Sequence, residues 1–125
     1  CYALRFDAAG RSVVFSADTA YFPPLIRFAR GADLLVHEAM LPAGVEALVA
    51  RTGLGEKLRA HLAASHTTAA DAGCLARAAE VRRLVLHHLI PADDPDFDEQ
   101  DWLDAVSTEW RGPVTVGRDG LEIAL

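Results

Sequence analysis

Hydrophobic and polar positions along the 125-residue chain fall into short apolar runs, separated by polar turns and by longer stretches of helical period. Residues 1–6 alternate loosely and read as a strand. The DAAG stretch at 7–10 is a turn signal, and the β-branched and aromatic run SVVFS at 12–16 is a second strand, so the two predict a hairpin. Pro23 and Pro24 open a helix that Gly31 stops. The continuous apolar run ADLLV at 32–36 fits a strand buried on both faces, hence a parallel or mixed sheet covered by helices. Pro42 opens a helix through Val49, TGLG at 52–55 interrupts it, and residues 57–64 can form another. Thr68 and Asp71 have the spacing of a capping box ahead of an Ala-rich helix that runs to about Glu80. RLVL at 83–86 is the next buried strand. Asp98 can cap a helix on which Trp102, Val106 and Trp110 share one face. VTV at 114–116, a turn at 118–120 and LEIAL at 121–125 predict a closing hairpin. This alternation reads as an α/β fold with a hairpin at each end.

Composition changes the picture in three ways. At 51% hydrophobic the chain can bury a core, covering roughly two-thirds of the surface it exposes when unfolded. The net charge of −6, with Lys57 the one lysine, argues against a basic nucleic-acid surface on this segment as a whole. No apolar run approaches the roughly 20 residues of a membrane span, and no signal peptide is visible, which points to the cytoplasm. Cys1 and Cys74 are unpatterned and indicate neither a disulfide framework nor a metal-binding pair. Residues 93–104 hold seven acidic groups, read as a solvated loop and a first helical turn that suits the helix dipole. Strand-like residues at both ends suggest a piece of a longer protein.

The chemistry-bearing side chains gather where strands run out. Asp18 follows SVVFS, His37 and Glu38 follow ADLLV, His87 and His88 follow RLVL, and His66 heads the Ala-rich helix. Asp18 could equally cap the next helix. Loops at one edge of an α/β sheet can converge, and ligands bind at such edges. Aspartate and histidine converging there suit a Zn²⁺-type site, and a carboxylate can bridge a metal pair.

Four motifs in series carry a resemblance. VVFSADT at 13–19, ADLLVHEA at 32–39, SHTTAADAG at 65–73 and RLVLHHLIP at 83–91 resemble the C-terminal half of metallo-β-lactamase-fold hydrolases, in the branch that includes ribonuclease Z and arylsulfatase-like enzymes. The resemblance covers about three-quarters of the chain. It implies that residues 1–125 are the C-terminal portion of an αββα sandwich, a mixed β-sheet with helices packed on one face. It implies a hydrolase with two divalent metal ions, zinc with manganese or iron as alternatives. Metal-bound hydroxide would attack a phosphodiester, sulfate or related ester, in an RNA or a small molecule.

By the same resemblance Asp18 is the carboxylate that bridges the metals and His88 the final metal ligand. His66 is the catalytic histidine that stabilises the transition state or gives a proton to the leaving group. His37 and Glu38 order the loop behind the ligands, His87 is a neighbour, and His61 is a surface residue. Two positions depart from the pattern. Ala17 stands where the family usually has Gly. Val14 stands where the ribonuclease Z pattern has a Glu that pairs with the histidine at the place of His66, which leaves His66 without that partner.

The H-x-H-x-D-H motif that supplies most of the family's metal ligands is absent from this chain. The isolated segment is therefore expected to be inactive and to bind zinc poorly. Without its partner sheet it should expose the apolar residues of VVF and LVL, and so form a homo-oligomer or aggregate. A different class stays open, a non-catalytic module that uses the same fold for binding or assembly. Half of a doubly wound nucleotide-binding domain ranks last, because no Gly-rich phosphate loop follows any strand.

Overall fold

A computed structural model of the chain describes all 125 residues. In chain order its elements are β1 (Leu4–Ala8), β2 (Arg11–Phe15), α1 (Pro24–Phe28), β3 (Leu34–Met40), α2 (Pro42–Thr52), α3 (Gly55–Ser65), α4 (Ala69–Ala79), β4 (Leu84–Ile90), α5 (Glu99–Ser107) and β5 (Val114–Val116). The strands form one five-stranded sheet in sequence order. β1 runs antiparallel to β2, and the other neighbours are parallel. The sheet is thus mixed, as the apolar runs predict.

Strand alternation sorts the side chains to two faces. Val14, Leu35, Leu84 and Leu86 join Leu25 of α1 and Ala29 just after it, the small residues of α4 and Trp102 and Val106 of α5 in one core. The intervening Leu34, Val36 and Val85 form a separate cluster on the opposite face, with Val13 and Ile123 against it. α2 and α3 build their own small core with Met40 at the end of β3.

The helix ends follow from local chemistry. Thr68 caps α4, its hydroxyl accepting the Asp71 N–H at 3.0 Å. Asp98 caps α5 in a reciprocal box with Asp101, each side chain bonding the other residue's backbone N–H. At Gly73, an added Cβ would sit 3.0 Å from the Val106 carbonyl oxygen of α5. The glycine is what lets α4 and α5 pack so closely.

Four sequence expectations are corrected. Residues 121–125 form no strand. The Arg83 guanidinium donates to the Ala124 carbonyl at 2.6 Å and Ile123 packs beside Val85, so the C-terminal segment crosses the open face instead of pairing with β5. Nor is the LVL run exposed: Leu84 and Leu86 are buried in the helix-side core, and Val85 lies on the other face beside Ile123. The apolar residues that do stand open on this side are Leu4, Phe6 and Phe15, at cross-strand positions of the first hairpin. Second, β3 and β4 extend beyond the apolar runs, so His37, Glu38, His87 and His88 lie within strands rather than after them. Third, the acidic segment is not wholly solvated. Asp94 is buried and accepts from the Arg51 guanidinium at 2.6 Å, tying the loop after β4 to α2. The fourth correction, at Val14, concerns the site.

Candidate metal and proton-transfer site

Three loops and two strands meet at one end of the sheet. β3 and β4 pair in register up to Glu38 and His87, and then Ala39 pairs with Leu89. His88 is the extra residue of a β-bulge, with φ +44°. A bulge re-aims a side chain that regular pairing would commit to one face, and here it turns the His88 ring toward Asp18, with Nε2 3.5 Å from Oδ2. Asp18 sits in the turn after β2, directly after Ala17, whose φ is +58°. A left-handed residue other than glycine costs about 1–2 kcal/mol, and such strain persists only where the surroundings over-determine it. It also explains why glycine is the usual residue at the place of Ala17.

Glu38 is fully buried. An unpaired buried carboxylate would cost several kcal/mol, and this one is not unpaired. Its Oε1 accepts the Thr19 N–H at 2.7 Å, and its two oxygens lie 3.2 and 3.0 Å from Nδ1 of His66. Burial pushes the Glu38 carboxyl above the ordinary carboxylate value, opposed by the Thr19 N–H and by His66. His66 therefore has a carboxylate partner. It is Glu38 of the HEA segment, not a residue at position 14, where Val14 is buried in the helix-side core. When Glu38 is ionised it offers only lone pairs, which makes Nδ1 of His66 the donor and leaves Nε2 free. The His66 and His88 rings stack with centroids 5.5 Å apart and planes 17° apart.

β2 ends at Phe15, and its ladder with β3 stops at Val36, so Glu38 lies beyond it. Side chains take over. The Glu38 N–H donates to the Ser16 hydroxyl at 3.2 Å, while Nδ1 of His37 bonds the Glu38 carbonyl at 2.7 Å. The Ser16 hydroxyl in turn donates to the Ala17 carbonyl at 2.7 Å. His37 is fully buried, and burial pushes its imidazole down to about 4. His87 pairs opposite Glu38 in the ladder, has a buried Nε2 without a partner, and is held below the ordinary histidine value by burial and by the neighbouring His88. His61 is exposed at the surface of α3.

Carboxylate and imidazole donors of the kind that hold a divalent metal gather here. Ligand atoms of Glu38, His66 and His88 lie within 4.8 Å of one another, and the Asp18 carboxylate adjoins His88. Glu38 already spends its oxygens on Thr19 and His66, so Asp18 and His88, each about half exposed, are the donors free to take an ion. Imidazole nitrogen and carboxylate oxygen suit zinc and its neighbours. Two such donors are fewer than the three or four of a stable zinc site. His88 opens onto two clefts of about 300 and 440 Å³ that share Gly117, Arg118 and Asp119. The largest cleft, about 540 Å³ and lined by Phe22 and Phe28 of the α1 region, shares no residue with the site.

Comparison with known proteins bears on the family and the fold. A family model described as a β-lactamase superfamily domain matches residues 1–89. Ribonuclease Z of Myxococcus xanthus (strain DK1622) is 36% identical over 116 residues, which are 93% of this chain and 33% of that protein. A putative ribonuclease Z of Mycobacterium tuberculosis (strain CDC 1551 / Oshkosh) is 32% identical over 115 residues, 92% of this chain and 48% of that protein. Among solved structures, the metallo-β-lactamase fold protein YhfI from Bacillus subtilis superposes with a TM-score of 0.71 at 27% identity, over 97% of this chain and 43% of that one. Human tRNase Z, short form, superposes with a TM-score of 0.59 at 20% identity, over 98% of this chain and 37% of that one, a likeness of fold. The chain spans between a third and a half of the length of these two ribonuclease Z relatives.

Proposed function

This chain belongs to the β-lactamase superfamily, and we propose that it supplies one wall of a divalent-metal phosphodiesterase that cleaves RNA. Asp18 and His88 would hold metal, and the remaining ligands would lie elsewhere in the full-length protein. When bound, the metals supply Lewis acidity and activate the attacking water. The rest of the work falls to this chain's own side chains. His66 gives a proton to the departing oxygen from Nε2. Glu38 holds the opposite nitrogen, fixing the tautomer and ring orientation and stabilising the imidazolium. Thr19 holds Glu38 through its backbone N–H.

The single observation that carries the reading is the buried Glu38–His66 pair at 3.0 Å beside the Asp18–His88 pair at 3.5 Å. The naming of the relatives as ribonuclease Z favours an RNA substrate over a sulfate ester.

The test compares leaving groups in the full-length protein. His66→Ala should lower the rate on RNA by about 10²–10⁴-fold, and Glu38→Gln by an intermediate factor. Both variants should cleave bis(p-nitrophenyl) phosphate at close to the wild-type rate, because its leaving group departs without a proton. Equal losses on the two substrates would remove the proton-donor role. No hydrolysis of either by the wild type would favour a binding or assembly module.

A further inference from the structure

We propose that Thr67 is the positioning residue that sets the separation of Asp18 and His66, by one bond from its hydroxyl. The inference rests on the roles given above to those two residues. Thr67 follows His66 and Thr19 follows Asp18, so each threonine is one residue from a group that must meet the substrate. The Thr67 hydroxyl donates to the Thr19 carbonyl at 2.6 Å. The Thr67 carbonyl accepts the Met40 N–H at 2.9 Å, and the Thr19 N–H donates to Glu38 at 2.7 Å. Thr67 thus ties together the turn after β2, the end of β3 and the loop ahead of α4.

That tie matters because no ladder makes it. The β2–β3 pairing stops at Phe15 and Val36, and residues 17–20 carry no regular structure. Ser16 anchors the start of the turn through the Val36 carbonyl and the Glu38 N–H. Beyond it comes Ala17 at positive φ, a conformation that relaxes unless its surroundings hold it. Thr67 holds the far side. Thr67 is 1% exposed, so water cannot readily replace the hydroxyl. A valine there keeps the shape and loses the donor.

The experiment uses the full-length protein as wild type, Thr67→Val and Thr67→Ser. Thr67→Val should lower kcat on RNA by about 10–100-fold, as loss of outer-shell partners does, and leave KM within about twofold. Thr67→Ser, which keeps the hydroxyl, should recover kcat to within about threefold of wild type. Amide hydrogen exchange in the metal-free protein gives a readout independent of catalysis. Residues 17–20 should exchange about tenfold faster in Thr67→Val and as in wild type in Thr67→Ser. The proposal is overturned if Thr67→Val keeps its kcat, if exchange at 17–20 is unchanged, or if Thr67→Ser is as impaired as Thr67→Val. A wild type that hydrolyses nothing would sink the proposed function alone, since the exchange comparison still decides what Thr67 holds.

Discussion

His37 and Glu38 are neighbours on one strand, and alternation sends their side chains to opposite faces. Glu38 meets the site, and His37 turns into the covered side and bonds the Glu38 carbonyl. Both are fully buried, yet they titrate in opposite senses, because burial disfavours whichever form is charged. For His37 this has a consequence for stability. Its folded value of about 4 lies below its ordinary value of 6.5. Above pH 6.5 the imidazole is neutral in both states and nothing is lost. Between 6.5 and 4 the unfolded chain binds a proton that the folded chain refuses, so stability falls as pH falls. The whole effect is on the order of 3 kcal/mol. His37→Gln should flatten the dependence of unfolding free energy on pH across that window, read by urea denaturation. An unchanged slope would place the titration elsewhere. Residue types and motif order made Asp18, His66 and His88 legible as candidates from the sequence. The partner of His66 was not legible, because position 14 and position 38 lie on adjacent strands and only the pairing shows which one reaches His66. Ser16, Thr19 and Thr67 sat inside the motifs as ordinary hydroxyl residues. Their work lies in bonds to backbone atoms, which spacing along the chain does not reveal.

At the scale of elements, capping signals and apolar periodicity located the helices well, since both are local. The Thr68 and Asp98 caps stand where the sequence puts them, but the reciprocal box forms at Asp98 and not at Thr68. Asp98→Ala should cost about 1 kcal/mol, measured by urea denaturation. A loss within error of zero would mean that the packing of Trp102 and Val106 holds α5 without its cap. Strand ends were harder to read. Polar residues such as His37, Glu38 and His87 look like loop in sequence, yet tertiary pairing carries β3 and β4 through them. The bulge at His88 depends on that pairing and leaves no local signal. LEIAL has the composition of a strand, but a single guanidinium bond to the Ala124 carbonyl and the packing of half-buried Ile123 draw it across the sheet face instead.

At the scale of the molecule, one face of the sheet carries α1, α4 and α5, and the other is covered only in part by residues near the C-terminus. Leu4, Phe6 and Phe15 stay 52%, 56% and 38% exposed there. That is more apolar surface than scattered single residues would leave, and it suits a chain that spans a fraction of its relatives. The α/β class and the mixed sheet were readable from alternation alone. That a metal here would need donors from outside this chain was an expectation of the resemblance alone, because Asp18 and His88 by themselves read only as a weak site. The proposed function stands on Asp18 and His88 as metal ligands in a hydrolase completed outside this chain. Metal analysis of the dialysed full-length protein tests it most directly. The wild type should hold two divalent ions per chain. Asp18→Ala and His88→Ala should each hold at most one, with the rate on RNA lost. Two ions retained in both variants would contradict the account.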